Sequence, residues 1–251
     1  MPLLMVSLAV TLFLSLSASV SHADPFYSPP APDEEDPHFS GDIELGYTRL
    51  SGNTNSQSLI SKGTLTWLKE RWTHSLRGEI RNVSRDDETS AEQYLAAWRE
   101  RYDFNGPHYL FGFTRWEKDR FSGYDQQLAA IGGYGRQVLD NEAHKLSLEM
   151  GPGYRRDTLA DNHSVENQAV AYGALDYEWD FSSTASLSQE FSMEGTQDNV
   201  TTRSLSALTA KLNSRLALRL SHEIKRNSQP PEETDSRRDM TTSASILYSW
   251  E

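Results

Sequence analysis

The stretch G46-YTRLSGNTNSQSLI-S61 places a Ser-Gly-Asn-Thr-Asn turn between two segments whose residues alternate in character. To its left, Ile43, Leu45 and Tyr47 alternate with Glu44, Gly46 and Thr48; to its right, Leu59, Gly63, Leu65 and Trp67 alternate with Ile60, Lys62, Thr64 and Thr66. A period of two across a polar turn is the signature of a β-hairpin. The question is whether this hairpin stands alone.

It does not. Alternation returns about every fifteen residues to the end of the chain. Trp72, Leu76 and Ile80 oppose Thr73, Ser75, Arg77, Glu79 and Arg81, and Tyr94, Ala96, Trp98, Tyr102 and Phe104 share one face of the next segment. After Asn105-Gly106-Pro107 come Tyr109, Phe111 and Phe113; then Leu128, Ala130 and Tyr134; Leu146, Leu148, Met150 and Tyr154; Ala169, Ala171, Leu175, Tyr177 and Trp179; Ala185, Leu187, Phe191 and Met193. A tenth segment, residues 201 to 212, is ambiguous in phase. Leu216, Leu218, Leu220 and Ile224 form the eleventh apolar face, and Ala244, Ile246, Tyr248 and Trp250 the twelfth.

Odd-numbered connections, such as Ser51 to Ser56, Ser84 to Ala91 and Asn227 to Arg237, are mostly long and polar. Even-numbered ones, such as Glu70-Arg71 and Ser182-Ser183, are short. Segments like Ala91 to Phe104 exceed the 9 to 11 residues a tilted membrane strand needs, whereas globular strands commonly have 5 or 6. An even strand count, long segments and asymmetric loops predict a twelve-stranded antiparallel up-and-down transmembrane barrel over residues 41–251, both ends on the side of the short turns. Trp67, Trp72, Trp179, Trp250, Tyr102, Phe104, Tyr109, Phe111, Tyr177 and Tyr248 lie near that side and are expected to form an interfacial girdle. A soluble β-sandwich also alternates and is the competing fold.

The remaining chain agrees with export. Residues 1–23 form an uncharged apolar run ending Ser21-His22-Ala23, read as a signal peptide, with an uncleaved anchor as the alternative. Residues 24–40 hold five of the ten prolines and a cluster of acids, and read as an extended tail. The absence of cysteine excludes a disulfide framework, and a net charge of −12 argues against a nucleic-acid partner. Outer-membrane lipid and the barrel assembly machinery are the expected partners, with small solutes or ions as cargo.

Eleven charged residues fall on the polar face and are candidate lumen-wall residues: Glu44, Arg77, Glu79, Arg81, Glu149, Arg155, Asp176, Glu178, Glu190, Arg219 and Glu223. On the lipid face each basic one near the midplane would cost roughly 2 to 4 kcal/mol, which points them inward. They serve either as a satisfied polar filling or as a selective pore wall. Gly151-Pro152-Gly153 predicts a bulge, since Pro152 cannot donate to a ladder. Gly132, Gly133 and Gly135 read as room for a tight wall.

No enzyme is expected. An outer-membrane lipase is expected to carry His and Ser two apart on one strand, where the imidazole activates the hydroxyl. The one His-x-Ser here is His38-Phe39-Ser40, in the tail, and adjacent pairs such as Ser221-His222 point to opposite faces. The dispersed histidines show no metal-ligand spacing, and no cofactor is implied.

The tract GDIELGYTRLSGNTNSQSLISKGTLTWLKERW resembles the domain-of-unknown-function family that groups salt-induced outer membrane proteins. Gly46, Ser51, Gly52, Asn53, the tryptophans of the next turn and Gly151 to Tyr154 carry the likeness. It implies an outer-membrane barrel, supplies no catalytic or ligand residues, and hints at a role under osmotic stress. Such barrels end on an aromatic residue, whereas Glu251 here follows Trp250. The functional expectation is a narrow pore or small-solute-binding barrel; the alternatives are a non-conducting structural envelope protein and, third, a lipid-modifying enzyme.

Overall fold

The computed structural model describes residue 29 and residues 38–50, 56–85, 88–119, 122–229 and 237–250. The expected signal peptide, all of the acidic tail except Pro29 and 38–40, and Glu251 lie outside the described residues.

Twelve strands form one closed antiparallel barrel: β1 (Phe39–Leu50), β2 (Ser56–Lys69), β3 (Trp72–Arg85), β4 (Glu88–Asp103), β5 (His108–Asp119), β6 (Tyr124–Asp140), β7 (His144–Leu159), β8 (Val165–Ser182), β9 (Ala185–Gly195), β10 (Val200–Lys211), β11 (Leu216–Asn227) and β12 (Arg238–Trp250). Each strand pairs with its sequence neighbours, and β12 closes on β1 from Gly41–Trp250 to Gly46–Ser245. Closure leaves no open sheet edge, so the strands pair with one another all the way round rather than with water. No helix among the described residues is long and apolar enough to cross a membrane; the chain crosses with strands.

Alternation sets the two faces. Ile43, Leu45, Leu59, Ile80, Leu128, Leu148, Leu218 and Ile246 are exposed on the outside, while Glu44, Thr73, Ser75, Glu79, Glu149, Ser221 and Ser245 between them are buried inside. Hydrocarbon outside and polar filling inside is the reverse of a soluble sandwich, which removes the competing fold.

Three details depart from expectation. β1 begins at Phe39, two residues before the expected domain start. The connection foreseen at Ser84 to Ala91 is mostly strand: β3 runs to Arg85, β4 starts at Glu88, and the extra length is taken up by a register shift at Val83/Ser84. Pro152 makes no bulge. The β6–β7 register is the same on either side of it (Ile131–Gly153 and Tyr134–Met150), and Pro152 keeps its place opposite Ala171 on β8. Instead Gly133 and Gly151 face each other so closely that a Cβ on either would strike the other strand's backbone. At Pro152, which has no N–H to give, the β6–β7 pairing is interrupted between Ile131–Gly153 and Tyr134–Met150 without an inserted residue.

Candidate functional site: the charged lumen

All eleven candidate residues lie on the inner face. Glu44, Glu79, Glu149, Arg155, Asp176 and Glu190 are buried, and Arg77, Arg81, Arg219 and Glu223 nearly so. Glu178 is inward beside Asp176, opposite Lys145 on β7.

They do not simply line a tube; many reach across it. Arg81 on β3 donates to Glu223 on β11 and to Thr241 Oγ1 at 3.0 Å, and takes Glu79 on its own strand at 3.0 Å. Arg99 on β4, fully buried, pairs with Glu149 on β7. Arg115 on β5 forms a two-pronged pair with Glu194 on β9 at 2.7 and 3.0 Å, and Arg155 takes Asp157 at 2.8 Å. The fork geometry of guanidinium suits such bidentate pairs.

The densest knot is centred on Glu117 of β5, which is 1 % exposed. It accepts from Lys225 Nζ on β11 at 2.7 Å, from Gln93 Nε2 on β4 at 2.9 Å and from Arg203 on β10, with Arg115 Nε at 3.8 Å. One carboxylate thus ties together opposite walls.

From the short turn before β5 to mid-barrel the filling turns aromatic. Tyr109, Phe111, Phe113, Ile131, Val170 and Tyr172 form a buried cluster inside the barrel. Arg99 lies over the Phe111 ring at 4.9 Å, Arg101 over Tyr109 at 3.8 Å, and the Tyr109 hydroxyl donates to Glu149 at 3.0 Å. Rings and guanidinium groups stacked this way satisfy cations that water no longer reaches. Arg101 also pairs with Asp103 and donates to the carbonyl of Pro29, which is therefore inside the barrel. Gly135 makes room for the Tyr109 ring, which lies where its Cβ would be.

Tyr109 and Phe111 are therefore not girdle residues. On β5 the outward positions are His108, Leu110, Gly112, Thr114 and Trp116. Both faces of this strand are apolar near the turn, so the heavier one is not a guide. Phase with Arg115 and Glu117 is, since that charged pair shares the face of the three rings. The other girdle aromatics lie in an outer band: Trp67, Trp72, Tyr102 and Phe104 join Trp98 and His74 in a chain of ring contacts, Tyr177 and Trp179 stack on His144 with Phe181 against Trp179, and Tyr248 meets Trp250.

Sequence reasoning also missed Arg99, Arg101, Arg115, Glu117, Glu194, Arg203 and Lys225. Glu194 and Lys225 fall in phase with the recognised Glu190 and Glu223, and Arg99 and Arg101 alternate with the apolar face Tyr94 to Phe104 of β4, which was the available signal; β5 and β10 had no recognised inward charge to set the phase of Arg115, Glu117 and Arg203.

Between these ties a cavity of about 40 Å³ remains, bounded by Arg77, Glu79, Arg115, Glu190, Arg203 and Glu223. Asp176 and Glu190 stand directly opposite each other on β8 and β9, and a buried carboxylate oxygen of each lacks a hydrogen-bond partner. Among the described residues no three His, Asp or Glu side chains are grouped to hold a metal ion.

A family model described as "Protein of unknown function, DUF481" matches residues 43–250. The chain belongs to the DUF481 family. A relative from Escherichia coli (strain K12), the uncharacterized protein YdiY, is 37% identical over 211 residues, covering 84% of this chain and 83% of its own. Among solved structures, an outer membrane channel from Pseudomonas putida F1 superposes with a TM-score of 0.52 at 11% identity, over 84% of this chain and 95% of that one. The translocator domain of the autotransporter NalP from Neisseria meningitidis gives 0.49 at 13% identity, over 86% and 90%. This DUF481 chain is an outer-membrane β-barrel: its fold is that of the channel, and its hydrocarbon-facing wall is complete.

Proposed function

We propose that this barrel is a narrow, charge-lined passage for small ions and polar solutes, held shut by the ion pairs that cross its lumen. The observation that carries the reading is the mid-barrel cavity where Arg77, Arg115 and Arg203 face Glu79, Glu190 and Glu223, interrupted on one side by the Glu117 knot. Its volume of about 40 Å³ gives room for roughly three waters, since one needs about 10 to 15 Å³. Twelve strands stand between barrels filled by side chains and wide porins, a width at which the cross-ties on either side of such a cavity decide whether it joins the mouths.

Reconstitution into planar bilayers tests this. Wild type should give small, infrequent steps, and Glu117→Gln should raise their frequency by releasing Lys225 and Arg203. Replacing Arg77 and Arg81 by Ala should shift ion preference toward cations, because Glu79 and Glu223 remain. A second reading, a sealed structural barrel, is favoured by the buried aromatic cluster that fills part of the lumen. Silence of both wild type and Glu117→Gln at every voltage would put that reading first.

A further inference from the structure

Strand β10 carries an anomaly on its lipid side. The outward positions are Val200, Thr202, Ser204, Ser206, Leu208 and Ala210, so three hydroxyl residues in succession face hydrocarbon, while Leu205 and Ala207 point inward. Ser206 is not isolated. It stands directly opposite Gln189 on β9 and His222 on β11, and His222 stands opposite Thr242 on β12. Gln189 shares its outer face with Phe191 and Met193, His222 with Leu218 and Leu220, and Thr242 with Met240 and Ile246. Four polar side chains therefore form one continuous row across four neighbouring strands.

The row lies in mid-strand. On the side of the short turns it is bordered by Leu187, Leu208, Leu220 and Ala244, and on the side of the long loops by Phe191, Ile224 and Met240. Within it the Ser206 hydroxyl donates to Gln189 Oε1, Gln189 Nε2 donates to Ser204 Oγ at 3.1 Å, and His222 Nδ1 and Thr242 Oγ1 are 2.8 Å apart. Those bonds leave capacity unused: the second imidazole nitrogen of His222 has no place in them. Acyl chains offer nothing to these groups, and contacts between membrane segments are where Ser, Thr, Gln, His and small residues concentrate.

We propose that the outer face of β9 to β12 is the contact surface for a second copy of this chain, with the polar row lying against its counterpart across a two-fold axis. Three observations select the same chain as occupant. Amide and hydroxyl groups both donate and accept, and a neutral imidazole does likewise, so the row complements itself. It carries no acidic or always-charged side chain that would demand an opposite partner. Ser204, Ser206, Ala210 and Ala244 are small and let two walls approach closely. The aromatic band suited to lipid headgroups runs past both walls at the short-turn end, through Trp67, Trp72, Trp98 and Tyr102 on β2 to β4 and Tyr248 and Trp250 on β12, so the polar row at mid-strand, and not the band, sets β9 to β12 apart. A two-fold contact is isologous, which requires a self-complementary patch of this kind. The inference stands whether or not the lumen conducts.

The chain has no cysteine, so single-cysteine variants cross-link only through the introduced position. Ser206→Cys, Leu208→Cys and, on the far wall of β4, Ala96→Cys are oxidised in outer-membrane vesicles, with heat-modifiable migration on gels confirming folding of each. The expected result is a covalent dimer from Ser206→Cys or Leu208→Cys and monomer from Ala96→Cys. Light scattering of wild type in mild detergent should give a dimer, and Ser206→Trp a folded monomer. Wild type that is monomeric in both membrane and detergent overturns the proposal. Equal cross-linking from Ala96→Cys, which marks random collision, overturns it too. So does phospholipid hydrolysis by monomer that His222→Ala abolishes, since the row is then a catalytic one.

Discussion

Replacing Glu117 by Gln distinguishes a dry, side-chain-bridged lumen from a wet one. In the structure this carboxylate holds Lys225 at 2.7 Å and Arg203, with Arg115 nearby, and none of the three cations is more than about one-tenth exposed. Removing one partner of a buried pair costs about 3 to 5 kcal/mol, because the other charge stays buried without compensation. Part of that is retained here: Arg115 keeps Glu194, and Lys225 keeps Asp119 at 3.7 Å. With those contacts kept, the lower end, about 3 kcal/mol, is expected; at 1.4 kcal/mol per factor of ten that is roughly a hundredfold in the folding equilibrium. Urea unfolding in lipid vesicles, followed by tryptophan fluorescence, reads it directly. An exposed pair is worth about 0.2 to 1 kcal/mol. A loss in that lower range would show that water already screens Glu117 and would refute the claim that this knot closes the lumen.

Three further outcomes follow from the same geometry. Arg99→Met alone strands Glu149 and should destabilise by about 3 to 5 kcal/mol, while Arg99→Met with Glu149→Met should recover most of the loss in the same unfolding assay. Gly135→Val should cost about 1 to 3 kcal/mol by driving a side chain into the Tyr109 ring, and Tyr109→Ala in the same chain should relieve it. Spin labels at Leu218 and Arg219 should report lipid and lumen respectively by oxygen and nickel-chelate accessibility; water at both would break the assignment of faces.

The architecture was legible because a barrel wall repeats one simple rule twelve times. Each strand from Ile43–Tyr47 to Ala244–Trp250 obeys period two, and a rule repeated so often survives one ambiguous member. The lumen wall was legible only where charges alternate with obvious apolar residues, as at Arg77, Glu79 and Arg81. What the sequence does not carry is which inward charge meets which. Glu117 joins Arg203, 86 residues away, and Lys225, 108 away, because the barrel's curvature brings β5 across to β10 and β11. No local spacing encodes that chord.

The two strands that resisted a simple reading are also the two with unusual environments. On β5 the inner face carries three rings, and the reason is contact: Arg99 and Arg101 need ring faces and Tyr109 needs the space over Gly135. On β10 the outer face carries Thr202, Ser204 and Ser206 where every neighbouring strand is more apolar. A wall that faced only hydrocarbon and enclosed only water would show neither exception. Apolar residues turned inward mean that part of the interior is packed rather than wet, and polar residues turned outward mean that part of the exterior is covered rather than lipid-facing. The first consequence is tested by the energetics of Glu117 and Gly135, the second by where cysteines cross-link. Because β5 and β10 lie on opposite sides of the barrel, joined through Glu117 and Arg203, a second copy seated on β10 would press on the same strand that anchors the knot. Ser206→Trp should then change the step frequency that Glu117→Gln sets, whereas a bulky residue at the outward Leu59 on β2, a strand that borders neither β5 nor β10, should leave it unchanged.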